Sequence, residues 1–303
     1  MRVAIVGADG QLGSDAAKAF AESGDIVFPL THEDIEISAI DSVRAALREL
    51  KPDLIVNTAA LHQVERCELN PKRALEINAS GSHNLAMVSQ ELGASLMQIS
   101  TDYVFDGAKG TPYEESDAPC PLNTYGITKL AGEHFVRTTV ERHFILRTSA
   151  LYGRRPCRGK GGFNFVDLML KLGKERGEVR VVDSEEVTPT STAELAQQMV
   201  QISRSGNFGL FHATAEGSCT WYDFAREIFS VAGLLVKVEI ADPSEFPSKV
   251  PRPTYSVLEN AALKVCGLNC FRPWQEGLRQ YLDVARFSGS VEQPAHSLVN
   301  STR

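Results

Sequence analysis

The 303-residue sequence has no C-x-x-C pair, no apolar run of membrane-spanning length, no excess of positive charge and no internal repeat. Each absence removes a class of protein. The six cysteines, at 67, 120, 157, 219, 266 and 270, are scattered, and Cys266 and Cys270, the closest two, have no histidine cluster beside them. Zinc knuckles and a disulfide scaffold are therefore not expected, and the thiols read as buried or incidental in a reducing cytosol. A net charge of −7 gives no general attraction for nucleic acid. Asp9 and Asp15 stand among the first glycines, so residues 1–20 do not read as a signal peptide. Without a membrane-length segment, the expectation is a soluble, cytoplasmic protein with neither nucleic-acid nor membrane partners.

What is present is a globular composition, 43% hydrophobic, long enough for one large domain or two fused ones. Strand candidates are the apolar run 2–6 and the segments 25–29, 54–57, 95–100 and 144–148. Helical patterns near 12–23, 40–50, 71–92 and 124–138 separate them. Such alternation predicts a parallel, doubly wound sheet with right-handed crossovers. The first strand runs into Gly7-Ala-Asp-Gly10-Gln-Leu-Gly13, and a helical pattern follows. Strand, glycine turn and helix together place a pyrophosphate on a helix N-terminus, and the glycines let the backbone turn tightly against it. The spacing is G-x-x-G-x-x-G rather than the usual G-x-G-x-x-G. Two further strand ends, Asn57-Thr-Ala-Ala60 and Ser100-Thr101-Asp102, should open on the same carboxyl edge, where such sheets bind ligands.

The second half is less regular. Gly153–Gly162 is a basic, glycine-rich loop. Helical patterns lie at 163–174, 191–203, 222–232 and 274–286, with short strands at 179–182, 208–213 and 236–240. Pro243, Pro247, Pro251 and Pro253 make 242–256 a loop. The predicted fold is α/β: a Rossmann-type doubly wound parallel sheet with a smaller C-terminal α/β substrate lobe. Residues 1–150 form the dinucleotide-binding part, to which later segments return. Residues 151–287 supply the substrate lobe, and the polar stretch 288–303 reads as a flexible tail.

Within this frame Tyr125-Gly-Ile-Thr-Lys129 carries chemistry. A phenol and an ammonium four residues apart share one helix face. A phenol with an ordinary pKa near ~10 is a poor acid–base group at neutral pH, and an adjacent cation favours its phenolate. Lowering it to about 7 takes roughly three units, on the order of 4 kcal/mol. A Tyr-x-x-x-Lys match alone arises by chance on surface helices; here it follows the glycine turn and the two strand ends.

Taken together these segments resemble the dTDP-4-dehydrorhamnose reductase family, within the extended short-chain dehydrogenase/reductases. The resemblance rests on Gly7–Gly13, Pro52–Asn57, Ser100-Thr-Asp-Tyr-Val-Phe105, Pro121–Lys129, Arg147-Thr-Ser149, Pro189-Thr190 and Arg252-Pro253, over about residues 1–285. It implies that Tyr125 is the general acid in ketone reduction. It implies that Lys129 holds the nicotinamide ribose and lowers the phenol pKa, and that Thr101 bonds the substrate carbonyl oxygen and Tyr125. Asp102 would touch the sugar. Gly7, Gly10, Gln11, Leu12 and Gly13 would line the pyrophosphate. Ala59, Ala60, Leu61 and His62 would pass along the adenosine side, with Thr31, His32, Glu36 and Ile37 beyond the second strand. As plainer alternatives, Thr101 caps a turn and His62 is an ordinary loop histidine.

The sequence departs from the family at defined points. Arg147-Thr-Ser-Ala150-Leu-Tyr152 has alanine where the family has a tryptophan that packs on the substrate. The Gly153–Gly162 loop is longer and more basic than usual, which makes Arg154, Arg155, Arg158 and Lys160 candidates for a diphosphate clamp beside Arg252. The acidic cluster that helps some members bind magnesium between subunits is missing, so no metal is expected. No carboxylate sits at the tip of the second strand, near Phe28-Pro-Leu-Thr-His32, although Glu33, Asp34 and Glu36 follow. NADPH is therefore the expected cofactor, with NADH as the alternative. The implied reaction is reduction of the C4 ketone of a 4-keto-6-deoxy nucleotide sugar, dTDP-4-dehydrorhamnose to dTDP-rhamnose, by a chain that acts alone or as a homodimer. The competing readings are a non-catalytic, dinucleotide-binding regulatory subunit and a related nucleotide-sugar epimerase or dehydratase. Asp102-Tyr103 after Thr101, in place of the Asp-Glu pair of dehydratases, speaks against the last.

Overall fold

In the computed structural model, which describes residues 1–157, 161–245 and 250–288, strands and helices alternate through the first half. They are β1 (Arg2–Val6), α1 (Gln11–Glu22), β2 (Ile26–Leu30), α2 (Ile40–Arg48), β3 (Leu54–Asn57), α3 (Val64–Leu69), α4 (Pro71–Leu75), α5 (Gly81–Leu92), β4 (Ser95–Thr101), α6 (Thr124–Thr139) and β5 (His143–Thr148). The second half runs β6 (Leu151–Tyr152), α7 (Phe165–Arg176), β7 (Glu178–Val181), β8 (Glu186–Val187), β9 (Thr190–Ser191), α8 (Thr192–Ser205) and β10 (Gly209–His212). It ends with β11 (Cys219–Thr220), α9 (Trp221–Ala232), β12 (Lys237–Ile240), α10 (Ala261–Val265) and α11 (Trp274–Ser288).

Six strands form one parallel sheet in the order β10-β5-β4-β3-β1-β2. Every residue of β3 and β4 is buried, as expected of strands covered by helices on both faces. On one face Leu12, Ala16 and Phe20 of α1 pack with Leu195, Ala196 and Met199 of α8 against Val3, Ile5 and Met97. On the other, Val43 and Leu47 of α2, Leu85 and Val88 of α5 and Val136 of α6 cover Ala4, Val6, Ile55 and Ile145. The chain leaves β1 for β2 on one side and returns to β3 on the other, so the order reverses at β1. The glycine turn after β1 stands at that switch point, where α/β sheets take ligands. β10 adds a late segment to the sheet.

A third apolar cluster, built from Tyr152, Val166, Phe224, Ile228, Trp274 and Leu278, lies under α7, α9 and α11. A two-stranded parallel pair, β7 with β12, flanks it. One expectation needs correction. Residues 71–92 are not one helix: α4 ends at Leu75, a π turn spans Glu76–Ser80, and α5 starts at Gly81. The break serves Asn78, whose buried side chain is committed to other segments. A further short helix, α3, precedes it in a stretch too charged to display a periodic face. Arg158, Lys160, Pro247 and the tail from 289 onward lie outside the described residues. No helix among the described residues is long and apolar enough to cross a membrane.

Candidate active site

One cavity of about 740 Å³ opens along the carboxyl edge of the sheet, from the glycine turn to the α7/α9 lobe. Its floor is bare backbone. Gly7 has φ +81°, and a Cβ there would stand 2.9 Å from Ala59 N and Thr58 Oγ1. A Cβ on Gly13 would stand 2.1 Å from Gly7 O. No side chain caps the N-terminus of α1, where Gly10 is the N-cap. The first-turn N–H groups of that helix are therefore left for an anion. Thr58 Oγ1 ties the end of β3 to the turn by donating to Val6 O at 2.8 Å.

β4 and α6 bring the chemistry-bearing side chains to the middle of the cavity. Thr101 ends β4; its hydroxyl donates to Asp102 Oδ1 at 2.9 Å and accepts from Tyr103 N at 3.1 Å. It thus caps a turn and lines the cavity together. Ser149 donates to Asp102 Oδ2 at 2.8 Å. Burial pushes the Asp102 carboxyl up, and the hydrogen bonds from Ser149 and Thr101 oppose this. Tyr125 and Lys129 lie on the first two turns of α6, which Asn123 caps by accepting from Gly126 N at 2.9 Å. Gly126 is required there, since a Cβ would stand 2.2 Å from Tyr103 O.

Electrostatics correct one expectation. Burial pushes the Tyr125 phenol above its ordinary value rather than below it; the hydrogen bond with Thr101 opposes this, and the charge of Asp102 adds to the rise. Lys129 does not offset it, because Lys129 Nζ is directed at Ile99 O, 2.6 Å away. Burial pulls Lys129 down to about 8, against the attraction of Glu133. Behind it, Arg147 clasps Glu133 through Nε to Oε1 at 3.0 Å and Nη2 to Oε2 at 2.7 Å.

The far wall comes from the second half. Asn164, Phe165, Glu185, Trp221 and Phe224 line it with Arg252 and Pro253. Trp221 Nε1 donates to Glu185 Oε2 at 3.1 Å, and its ring meets Phe165 with centroids 4.6 Å apart. Ala150 lines the cavity with φ +44°, an uncommon conformation for a residue other than glycine. Arg252 pairs with Glu65, while its Nε is buried without a hydrogen-bond partner among the described residues.

Apart from the loop cations, every residue expected at a site lines this cavity except Leu61. The Leu61 backbone is instead bonded by Asn78, whose Oδ1 accepts from Leu61 N at 2.9 Å and whose Nδ2 donates to Leu61 O at 3.0 Å. Asn78 Nδ2 also reaches Thr128 Oγ1 at 3.1 Å, locking the 59–62 segment to α6. Of the four loop cations, Arg158 and Lys160 lie outside the described residues, and the part of the clamp assigned to Arg154 and Arg155 needs correction. Arg154 turns away, with Nη2 on Tyr281 O at 3.0 Å and its guanidinium over the Tyr281 ring. Arg155 contributes only its carbonyl, which accepts from Gln11 Nε2 at 2.9 Å. Neither lines the cavity. Sequence reasoning passes over Asn78, Arg73, Glu185 and Trp221. An asparagine amid a helical pattern is the one signal in the chain, for Asn78. Among the described residues no three His, Cys, Asp or Glu side chains gather as a metal site.

A family model described as RmlD substrate binding domain matches residues 1–287. The chain is 38% identical to a dTDP-4-keto-6-deoxy-D-glucose reductase of Streptomyces niveus, over 91% of this chain and 94% of the relative. A dTDP-4-dehydrorhamnose reductase of Clostridium acetobutylicum superposes with a TM-score of 0.90 at 40% identity, covering 94% of this chain and 100% of that one. A dTDP-4-dehydrorhamnose reductase of Bacillus anthracis, solved in complex with NADP, gives a TM-score of 0.89 at 37% identity, covering 93% and 99%.

Proposed function

The chain belongs to the RmlD substrate-binding family, that of the dTDP-4-dehydrorhamnose reductases, and from that premise we propose that it reduces the C4 ketone of a 4-keto-6-deoxy nucleotide sugar with NADPH, dTDP-4-dehydrorhamnose first among such substrates. The observation that carries this reading is that Thr101, Tyr125 and Lys129 line one cavity continuous with the glycine turn of β1.

The residues present fit a dinucleotide. Gly7 and Gly13, which face its pyrophosphate, leave no room for a Cβ, and the helix N-terminus above them has no side-chain cap. Bound NADPH supplies the hydride that reduces the ketone carbon. Tyr125 supplies the proton that the C4 oxygen then needs. Its raised pKa keeps the phenol protonated at neutral pH, the state a donor must hold before reaction. Lys129, titrating at about 8, is still mostly cationic at pH 7; with one N–H on Ile99 O, its other donors hold the nicotinamide ribose. Thr101 Oγ1 orients the phenol against the substrate oxygen. Arg252 faces the substrate diphosphate with a buried Nε that has no partner of its own among the described residues. Oxygens of the diphosphate match the parallel donors of a guanidinium.

The test is NADPH consumption against a panel of 4-keto-6-deoxy nucleotide sugars. Turnover is expected with dTDP-4-dehydrorhamnose. No turnover with any of them, in folded protein that binds NADPH, would shift the reading to a non-catalytic dinucleotide-binding subunit.

A further inference from the structure

At the β2 end of the cavity a guanidinium and an imidazole reach one carboxylate. Arg73 of α4 and His32 after β2 both approach Glu36 Oε2, with Arg73 Nη2 at 3.4 Å and His32 Nδ1 at 3.8 Å. All three residues line the cavity with Thr31. The other carboxylate oxygen, Glu36 Oε1, is committed elsewhere. It accepts from the Ser38 backbone N–H at 3.0 Å and the Ser38 hydroxyl at 2.7 Å. Ser38 therefore anchors Glu36, and Glu36 meets the Arg73 guanidinium and the His32 ring through contacts longer than the ~2.7–2.9 Å of a strong charge-assisted bond. Arg73 Nη1 makes two further long contacts, 3.3 Å to Ser38 Oγ and 3.3 Å to Glu76 Oε2. The guanidinium is oriented by several partners, none of them at close range.

This position matters for cofactor choice. In doubly wound sheets a carboxylate after the second strand accepts from a ribose 2′-hydroxyl, and a nearby arginine accommodates a 2′-phosphate. The acidic residues after β2 are not equivalent here. Asp34 Oδ2 turns back to accept from Thr31 N and Thr31 Oγ1, each at 2.8 Å. Glu33 is exposed and does not line the cavity. Glu36 does line it, but it is flanked by two groups able to carry positive charge. The usual position for the arginine is beside the strand tip. Here it arrives from α4, beyond β3, so only the fold brings it to the β2 end.

We propose that Arg73 and His32 form the 2′-phosphate site of this protein, with Glu36 as the placeholder that a phosphate displaces. The guanidinium then exchanges long contacts with carboxylates for parallel hydrogen bonds to phosphate oxygens. This rests on reading the cavity as a dinucleotide site and is independent of which sugar is reduced.

Fluorescence titration with NADPH and with NADH, without any sugar, reads the site apart from turnover. The protein should bind NADPH at least tenfold tighter than NADH. Arg73→Ala should weaken NADPH at least tenfold while leaving NADH within about twofold, and Arg73→Lys should recover part of the loss. Glu36→Gln should tighten NADPH, because the competing carboxylate is gone. His32→Ala should lower NADPH affinity by a smaller factor than Arg73→Ala. Unchanged NADH binding serves as the control for folding. If the Arg73→Ala/His32→Ala double variant keeps the full NADPH preference, or if the two cofactors bind equally to the unaltered protein, the proposal is wrong while the dinucleotide reading stands. Binding of neither cofactor overturns both.

Discussion

Lys129 Nζ stands 2.6 Å from the carbonyl oxygen of Ile99, two residues before Thr101 on the same strand. One hydrogen bond thus pins the second turn of α6 to the end of β4. Tyr125 and Thr101, carried by those two elements, are held in register before any ligand arrives. The Arg147–Glu133 pair reinforces the clamp, since Glu133 belongs to α6 and Arg147 to β5, beside Ser100 in the sheet. Ser100 Oγ also donates to Glu133. A fixed donor and a fixed carbonyl-orienting hydroxyl are what proton delivery to a developing alkoxide requires.

The first prediction tests that donor. Tyr125→Phe should fold and bind NADPH as the unaltered protein does, because the ring remains packed beside Tyr103. Turnover should fall by about 10²–10⁴-fold, the usual contribution of a general acid. Steady-state rates with dTDP-4-dehydrorhamnose, paired with a cofactor titration, measure both. A near-normal rate would remove Tyr125 from the mechanism.

The second concerns the substrate diphosphate. The protein is acidic overall, so local cations must hold a dianionic group. Arg252 lines the cavity, whereas Arg154 is bound to Tyr281 and does not. Arg252→Ala should raise the substrate KM at least tenfold, about 1.4 kcal/mol, with NADPH affinity unchanged. Arg154→Ala should leave KM within about twofold. The reverse pattern in the two KM values would return the clamp to the Gly153–Gly162 loop.

The third tests the glycine cradle. A Cβ at position 13 would stand 2.1 Å from Gly7 O and 2.8 Å from Gly7 C, both backbone atoms that cannot rotate away. Gly13→Ala must therefore displace α1 or the turn. Its cost should be about 1–3 kcal/mol, typical of overpacking, together with loss of NADPH binding. Gly24→Ala is the control for a stability loss outside the cavity: φ +84° strains any side chain there although nothing lies within 4 Å, so it should lose stability and keep NADPH binding. Denaturant melts and cofactor titration of Gly13→Ala separate the two effects; retained stability with retained binding would mean that the turn is softer than its geometry implies.

Much of this arrangement is readable from local pattern, and the remainder depends on distance along the chain. Leu54-Ile-Val56 of β3 announces itself as an unbroken apolar run because helices cover both faces of that strand. Tyr125 and Lys129 are visible because four residues on one helix make a fixed geometry. Asn78 gives only a weak hint, since its partners Leu61 and Thr128 lie 17 and 50 residues away. Arg73 gives none, because its neighbour Glu36 is 37 residues distant and on another element. The direction of the Tyr125 shift is hidden for a related reason. Spacing places an ammonium on the same helix face, but Ile99 on a neighbouring strand holds that ammonium.

The last prediction concerns pH and a residue outside the cavity. His212 ends β10 and is fully buried. Its Nδ1 faces two carbonyl oxygens, Tyr113 O at 3.0 Å and Glu259 O at 3.1 Å, so the proton of the neutral ring belongs on Nδ1. Nε2 is buried without a hydrogen-bond partner among the described residues. Burial, with the positive charge of Arg147 added, pulls the imidazole down from 6.5 to about 3. The carbonyls facing Nδ1 oppose this, as does the carboxylate of Asp117. Between those two values the unfolded chain holds a proton that the folded protein refuses, so stability rises with pH across this window and is lost as the medium is acidified. Each unit below about 6 should cost up to ~1.4 kcal/mol from this group alone. Asp and Glu residues titrate in the same range, so the informative quantity is a difference. His212→Asn retains a donor for the carbonyls and removes the titration. Urea melts of both proteins from pH 7 to pH 4 should converge as pH falls, the variant starting less stable and losing stability more slowly. Parallel curves would show that His212 accepts its proton in the folded state and does not drive the acid sensitivity.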